Sequence, residues 1–220
     1  NWMQNVLAPY KSWKKIVMSQ NGLYQIAIIN DGGSNNGIWT SNNFGISWLQ
    51  NTNTPNNSSN WNDIAISSDG KTVVAVYSKY IFISNDYGQT WNFTYNMGSA
   101  STNCIGVSEN GRYQTASNGF SIFTSNDYGQ TWTNVSDIGS CKVFVSVSLC
   151  GQYQVVLSSG DSRYSSNNYG LTWTRYDDKT SDIYNSIQTF PTGGVSMSFT
   201  GQFQVIVSES IYISKDYGIF

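Results

Sequence analysis

The side chains that could carry out acid–base or nucleophilic chemistry are few in this sequence. It contains no histidine, so neither a Ser-His nor a Cys-His nucleophile can form. Its three cysteines form no C-x-x-C pair, and we expect no metal site and no cofactor. Hydrolysis by paired carboxylates is the remaining chemistry, with Asp63, Asp161 and Glu209 as the acids that could approach one cleft. Because a solvated loop acid is the ordinary interpretation of each, we expect no enzyme activity.

Much of the remaining polar pattern belongs to a repeat. The residues SNDYGQTW occur at 84–91 and again at 125–132, with looser copies at 41–48, 166–173 and 214–220. A spacing of roughly 40 residues is that of a supersecondary unit. In each copy an Asp or Asn can bond N–H groups two residues on, a Gly can take a positive φ, and a Trp can anchor the returning strand. We therefore predict a structural role for the box residues, which are Ser41, Asn43, Gly45, Trp48, Ser84, Asp86, Gly88, Trp91, Ser125, Asp127, Gly129, Trp132, Ser166, Asn168, Gly170, Trp173, Ser214, Asp216 and Gly218.

The residues around each box predict four short strands. Apolar residues alternate in the first strand, as at Ile64 and Ile66, and a Gly-containing turn leads to an apolar second strand. A third strand enters the box and a fourth leaves it. Four strands at this period are typical of a β-propeller blade. We predict an all-β fold, a five-bladed β-propeller of four-stranded antiparallel blades. It is a single domain over 1–220, with blades at about 12–51, 60–94, 101–135, 141–176 and 193–220 plus 1–5.

The pattern S-x-D-x-G-x-T-W resembles the Asp-box, or BNR, repeat of sialidases, sortilin-type receptors, photosystem assembly factors and lectin-like propellers. The resemblance covers essentially the whole chain, although Asn43 and Asn168 replace the Asp and the last copy, with Asp216, ends before its Trp. It implies that the boxes lie at the hairpin between the third and fourth strands, on the blade periphery and away from the ligand-binding face.

Sialidases would use three Arg, a Tyr activated by a Glu, and an Asp. The three Arg of this chain, Arg112, Arg163 and Arg175, stand at unsuitable places in the repeat. The resemblance therefore implies a non-catalytic member of this group.

The two ends of the sequence suggest how the ring closes. Residues 2–5, Trp-Met-Gln-Asn, are similar to residues 48–51, Trp-Leu-Gln-Asn, which leave the first box. We predict that the N-terminal segment supplies the outer strand that completes the last blade, because this removes a free sheet edge. The same strand could pair with a neighbouring molecule instead, so self-association by strand exchange remains an alternative.

The face opposite the boxes, called the loop face below, is the predicted ligand surface. Aromatic rings beside amides and carboxylates suit sugar rings, and they equally suit a protein interface. Trp13 and Trp61 are equivalent by register, and the alternative is that both plug the ends of blade interfaces. The candidate ligand residues are Trp13, Trp61, Tyr77, Tyr95, Asn118, Asp161 and Tyr176.

Composition limits the partners further. A net charge of −2 with 11% charged residues argues against a nucleic-acid partner, and the strand-sized apolar runs argue against membrane insertion. Sequons at Asn56, Asn57, Asn92 and Asn134 favour an extracellular, cell-surface or virion-surface location. We predict a non-catalytic binding module that recognises glycan or protein through the loop face. The alternatives are a structural component of an oligomer, filament, cell surface or viral particle, and a degenerate sialidase-like glycosidase.

Overall fold

The computed structural model describes residues 5, 7–29, 37–54, 61–98, 103–138, 143–158, 162–176, 194–207 and 211–218. Its strands form five antiparallel sheets, each built in chain order from consecutive strands. Blade 1 contains β1 (Trp13–Met18), β2 (Gln25–Ile29), β3 (Ile38–Ser41) and β4 (Leu49–Gln50), and blade 2 contains β5 (Trp61–Ile66), β6 (Val73–Tyr77), β7 (Tyr80–Ser84) and β8 (Asn92–Asn96). Blade 3 contains β9 (Cys104–Val107), β10 (Gln114–Ser117), β11 (Ser121–Ser125) and β12 (Thr133–Asp137). Blade 4 contains β13 (Val143–Val147), β14 (Gln154–Ser158), β15 (Ser162–Ser166) and β16 (Thr174–Tyr176), and blade 5 contains β17 (Gly194–Met197), β18 (Gln204–Val207) and β19 (Ile211–Ser214).

The first strand of each blade is the innermost one. The first strands of successive blades contact one another, β1 with β5, β5 with β9, β9 with β13 and β13 with β17. The all-β, five-bladed propeller predicted from the repeats is therefore confirmed. Blade 5 has three strands among the described residues, and the segment predicted to complete it lies outside them except for Asn5. In the described part of the chain, no helix is long and apolar enough to cross a membrane.

The core lies between blades. We call the side of a blade that packs on the next blade its forward face, and the side that packs on the previous blade its backward face. In blade 2 the forward face consists of Val74, Val76, Ile81 and Ile83, all buried in one cluster with blade 3 residues such as Phe123. Similar clusters lie between blades 1 and 2, 3 and 4, and 4 and 5. Burial of this apolar surface is what holds one blade to the next.

The box forms the corner between the third and fourth strands. Ser84 Oγ donates to Asp86 Oδ1 (2.7 Å) and accepts from Gly88 N (2.9 Å). The carboxylate of Asp86 accepts N–H groups three and four residues on, from Gln89 (3.1 Å) and Thr90 (2.8 Å), rather than two residues on as the sequence suggested. Trp91 Nε1 donates to Gly88 O (3.1 Å) and so fixes the returning strand.

Two consecutive residues of each box have a positive φ. In blade 2 these are Tyr87 (62°) and Gly88 (81°), of which only the glycine was expected from the sequence. The box Gly is also required for space, because a Cβ on Gly88 would lie 2.8 Å from Ile26 Cδ1 of blade 1. The corner therefore serves both the hairpin and the packing of neighbouring blades.

Candidate functional site

Among the described residues, Lys14, Lys15 and Asp63 lie where the first strands β1 and β5 begin. Both β1 and β5 carry a register shift directly after their first Trp, between Trp13 and Lys15 and between Trp61 and Asp63. Bulges of this kind re-aim side chains at the end of a sheet. Together with Lys14 and Cys104, Lys15 and Asp63 form what we call the axial mouth.

Asp63 is the centre of the axial mouth. Its Oδ1 pairs with Lys15 Nζ of blade 1 and accepts from the N–H of Ile64 (2.9 Å), and its Oδ2 accepts from Ile105 N of blade 3 (3.0 Å). The side chain is 13% exposed. Because its two oxygens together bind groups of three successive blades, Asp63 is positioned to hold the first strands together.

Lys14 lies beside this ion pair. Its Nζ donates to Trp61 O (3.0 Å), across the boundary between blades 1 and 2. Burial lowers the pKa of Lys14, an effect that the Asp63 carboxylate partly opposes. The axial mouth thus presents two lysines and one carboxylate that is already bonded.

The thiol of Cys104 is a poor nucleophile. Burial, together with the nearby Asp63 carboxylate, raises the pKa of its thiol to about 12, so the thiolate that would be needed for nucleophilic attack is not formed near neutral pH. Neither Cys104 nor Cys150 forms a disulfide in the structure, and Cys141 lies outside the described residues. Among the described residues, no group of three His, Cys, Asp or Glu side chains could hold a metal ion.

Trp61 is fully buried, so a ligand cannot reach its ring. It packs against Phe82 (ring centroids 5.4 Å apart), Trp91 (6.1 Å) and Tyr77 (6.0 Å), at the end of the interface between blades 1 and 2. This placement matches the alternative that the equivalent tryptophans plug blade interfaces. Tyr77 is partly exposed beside it.

Trp13 has the same register but a different environment. It lies 6.0 Å from Trp39 and 5.9 Å from Trp48, the counterparts of Phe82 and Trp91, and it is partly exposed. These rings belong to the backward face of blade 1. A groove of about 410 Å³ opens there, with Ile16, Ala27 and Lys15 in its lining.

The other predicted ligand residues lie apart from this groove. Asn118 is buried and shapes the turn between β10 and β11, since its Oδ1 accepts from Phe120 N (2.9 Å) and Ser121 N (2.8 Å) while its Nδ2 donates to Met97 O (2.8 Å). Tyr95 is partly exposed and packs on Phe123 of blade 3, with centroids 5.6 Å apart. Tyr176 of blade 4 lies 4.4 Å from the buried guanidinium of Arg163. Asp161 lies outside the described residues.

Sequence reasoning missed Lys14 and Lys15. A signal for them was present, because Lys15 follows Trp13 by the same interval as Asp63 follows Trp61. Residues of opposite charge at one register of adjacent innermost strands are expected to meet near the axis. The pairing follows once the strands are known to be neighbours.

Comparisons with known proteins agree with this fold. A family model described as the BNR-Asp box repeat matches residues 38–51, which hold β3 and the first box. No curated protein sequence matches the chain at a significant level. The match and the five blades together show a β-propeller of Asp-box repeats.

Three solved structures share the fold at low sequence identity. The GH74 xyloglucanase from Xanthomonas campestris is 12% identical with a TM-score of 0.67, over 94% of this chain and 37% of that chain. YCF48 bound to D1 peptide is 14% identical with a TM-score of 0.60, over 94% of this chain and 71% of that chain. An ancestral GH74 enzyme is 15% identical with a TM-score of 0.64, over 100% of this chain and 32% of that chain. This chain therefore spans well under half the length of the two GH74 enzymes.

Proposed function

We propose that the chain is a non-catalytic binding module whose loop face takes an acidic segment of a protein partner over the axial mouth. The observation that carries the proposal is the pair of exposed lysines, Lys14 and Lys15, beside a carboxylate whose oxygens are already bonded. Added carboxylates from a partner would meet two cations there. Tyr77, partly exposed at the end of β6, offers an aromatic surface in the adjacent blade.

The likeness to other propellers supports a binding role without fixing the ligand. YCF48, one of the proteins of similar fold, is a peptide-bound structure, and this favours a protein partner over a sugar. The xyloglucanase of similar fold favours a glycan, for which the partly exposed Trp13 offers a stacking surface. Lys14 and Lys15 lie beside a carboxylate that already has hydrogen-bond partners, and this favours an acidic peptide over a glycan.

A peptide array and a glycan array probed with the whole chain test the proposal. We expect acidic peptides to bind, with affinity that falls as salt rises, and we expect the K14Q/K15Q double variant to lose this binding. Lys71→Gln is the matched control, since Lys71 is an exposed lysine at a turn on the box side. Equal binding by the wild type and K14Q/K15Q, or binding of neutral glycans alone, would overturn the proposal.

A degenerate glycosidase is disfavoured by the geometry of Asp63. Its two oxygens are bonded to Lys15, Ile64 N and Ile105 N, which gives this carboxylate a structural role between blades. We expect no turnover of aryl glycosides by the wild type. Turnover that disappears in Asp63→Asn would establish an enzyme in its place.

An extracellular, cell-surface or virion-surface location is also a proposal. It is supported by the exposure of Asn92 and Asn134, the two sequon asparagines that the structure describes, on the outer strands β8 and β12. Protein from its native source should lose mass on treatment with a peptide N-glycosidase. An unchanged mass would remove this support.

A further inference from the structure

The forward face of blade 5 is exposed although its residues match a buried face. In blade 2, Ile81 and Ile83 on β7 are buried against blade 3. At the same register of β19, Ile211 is 68% exposed and Ile213 is 64% exposed. The aliphatic pair is buried in blade 2, where blade 3 follows it, and no described residues cover its counterpart in blade 5.

The backward face of blade 1 is exposed in the same way. Ile64 of β5 is buried against blade 1, whereas its counterpart Ile16 of β1 is 52% exposed. Met18, two residues further along β1, is exposed as well. The groove beside Trp13 and Trp48 lies on this face. Among the described residues, the backward face of blade 1 and the forward face of blade 5 are therefore both uncovered.

Stacked aromatic pairs are a second feature that runs from one blade to the next. At three of them a tyrosine that follows the Gly turn of one blade stacks on the box tyrosine of the next, with ring centroids 4.1 to 4.6 Å apart; the pairs are Tyr24 with Tyr87, Tyr113 with Tyr169, and Tyr153 with Tyr217. The corresponding positions at the two ends are Phe203 in blade 5 and Phe44 in blade 1, both exposed. The ends thus carry the two halves of one more aromatic pair, with phenylalanine in both.

Backbone hydrogen bonds give a third feature. Gln20 N donates to Ser68 O, Ser68 N to Glu109 O, and Glu109 N to Leu149 O, each at 2.8 Å and each from one blade to the next. Between blades 4 and 5 the donor moves by one residue, and Cys150 N donates to Phe199 O at 3.4 Å. Continuing the series beyond blade 5 would join Phe199 N to Gln20 O of blade 1. The donor, Phe199 N, thus lies in the last blade and the acceptor, Gln20 O, in the first. In the observed interfaces the donor also lies in the earlier blade and the acceptor in the later one.

Asn5 marks the position of a preceding blade. Asn51, which follows β4 of blade 1, donates from Nδ2 to the carbonyls of Gly88 and Gln89 in the box of blade 2. Asn5 makes the same contacts one blade earlier, to the carbonyls of Gly45 and Ile46 in the box of blade 1. Each also accepts from the N–H two residues on, at 2.9 Å. Blade 1 is therefore built to receive a blade at its backward face.

We propose that the forward face of blade 5 binds the backward face of blade 1 in a second copy of this chain, so that copies associate head to tail. The contact continues an interface that the molecule already makes four times through apolar surfaces, and three of those four interfaces also have the stacked aromatic pair. Both faces are exposed among the described residues, and each presents the surface that the other would cover. The two surfaces differ from each other, which makes the interface heterologous. The groove on the backward face of blade 1 also borders Lys14 and Lys15 of the axial mouth. Self-association is measured as a change of mass and the proposed binding as salt-dependent affinity for peptides, so either proposal can fail without the other.

Light scattering over a hundredfold range of concentration, combined with one variant for each face, tests this interface. The wild type should rise above the monomer mass of 24.4 kDa as concentration increases. Ile213→Glu on blade 5 and Ile16→Glu on blade 1 should each stay monomeric, because a charge would be buried in the interface. Leu171→Glu is the control, since Leu171 is 62% exposed in the box of blade 4, away from both faces, and this variant should associate as the wild type does.

Mixing the two face variants gives the sharpest result. Ile16→Glu keeps an intact blade 5 face and Ile213→Glu keeps an intact blade 1 face, so an equal mixture should form a dimer of twice the monomer mass and nothing larger. A mixture that stays monomeric while the wild type associates would overturn the head-to-tail arrangement. A wild type that stays at the monomer mass throughout would overturn self-association, and would favour closure of the ring within one chain.

Discussion

At the scale of single residues, the box acid accepts several hydrogen bonds within its own corner and so has a structural role. Asp127 Oδ1 accepts from Ser125 Oγ (2.8 Å) and Thr131 N (2.9 Å), and Oδ2 accepts from Thr131 Oγ1 (2.5 Å). In the fourth copy Asn168 makes the same pair of Oδ1 contacts, and its Nδ2 donates to Thr172 Oγ1 (2.7 Å). An amide can therefore take the place of the carboxylate if the threonine hydroxyl accepts a hydrogen bond instead of donating one.

This comparison predicts how substitutions at Asp127 rank. Asp127→Asn should change the free energy of unfolding little, because Asn168 shows the amide in the same corner. Asp127→Ala removes the acceptor for three donors and should cost about 1–2 kcal/mol. Urea denaturation of both variants beside the wild type measures the difference. Equal losses in the two variants would show that the charge, and not the hydrogen bonds, stabilises the corner.

Two of the box acids, Asp86 and Asp127, also predict a dependence of stability on pH. Partial burial of Asp86 disfavours its charged form, but hydrogen bonds from Thr90, Ser84 and the N–H of Gln89 outweigh burial and hold the pKa below its usual 3.8. The balance at Asp127 is the same. A pKa that is lower in the folded than in the unfolded chain stabilises the fold above the unfolded pKa, and this stabilisation is lost as pH falls through the folded pKa.

The melting temperature of the wild type should accordingly fall as the solution is acidified below about pH 4. The D86N/D127N variant lacks both titrating groups, so its melting temperature should fall less over the same interval. Differential scanning calorimetry at a series of pH values compares the two. Parallel curves would mean that these carboxylates contribute nothing to acid sensitivity.

At the scale of the blade, one interface lacks a contact that three others have. The tyrosine that stacks on the next blade is replaced in blade 2 by Thr72, and the box tyrosine that it would meet, Tyr128, is exposed. The other interfaces show that the geometry accommodates a stacked pair, as for Tyr113 and Tyr169 at 4.6 Å.

Thr72→Tyr should therefore stabilise the fold. A stacked pair adds about 0.5–1.5 kcal/mol beyond the area that it buries, and this should exceed the loss of the 3.3 Å contact from Thr72 Oγ1 to Asn85. Lys71→Tyr is the matched control, because it adds the same side chain one residue away, at an exposed position. Thermal unfolding that shows no gain for Thr72→Tyr over Lys71→Tyr would contradict the stacking interpretation.

The same scale shows why the fold was predictable and the ligand surface was not. Strand alternation, Gly turns and box residues recur in every repeat, so local pattern and global fold agree. Trp13 and Trp61 have the same register, yet one is partly exposed and the other fully buried. Their difference depends on whether a blade precedes them, which is a property of the assembly rather than of the repeat. Asn118 was assigned to a ligand because its role in a turn depends on the distant carbonyl of Met97.

At the scale of the whole molecule, Asn5 and Asn51 make equivalent contacts, and substituting each one distinguishes stability of the single chain from stability gained by association. Asn51 is buried between blades 1 and 2, and its loss leaves the carbonyls of Gly88 and Gln89 without this donor. Asn51→Ala should lower the free energy of unfolding by about 1–3 kcal/mol at every protein concentration.

Asn5 makes the corresponding contact at the open backward face of blade 1, where it is exposed in a single copy. Asn5→Ala should therefore leave the melting temperature of the dilute monomer close to that of the wild type. At concentrations where copies associate head to tail, the same substitution should lower the melting temperature, because the interface then buries Asn5 and binding to the folded state adds to stability. Calorimetry at two concentrations measures both effects. A loss in Asn5→Ala that is equal at both concentrations would place Asn5 within the fold of one chain, as Asn51 is.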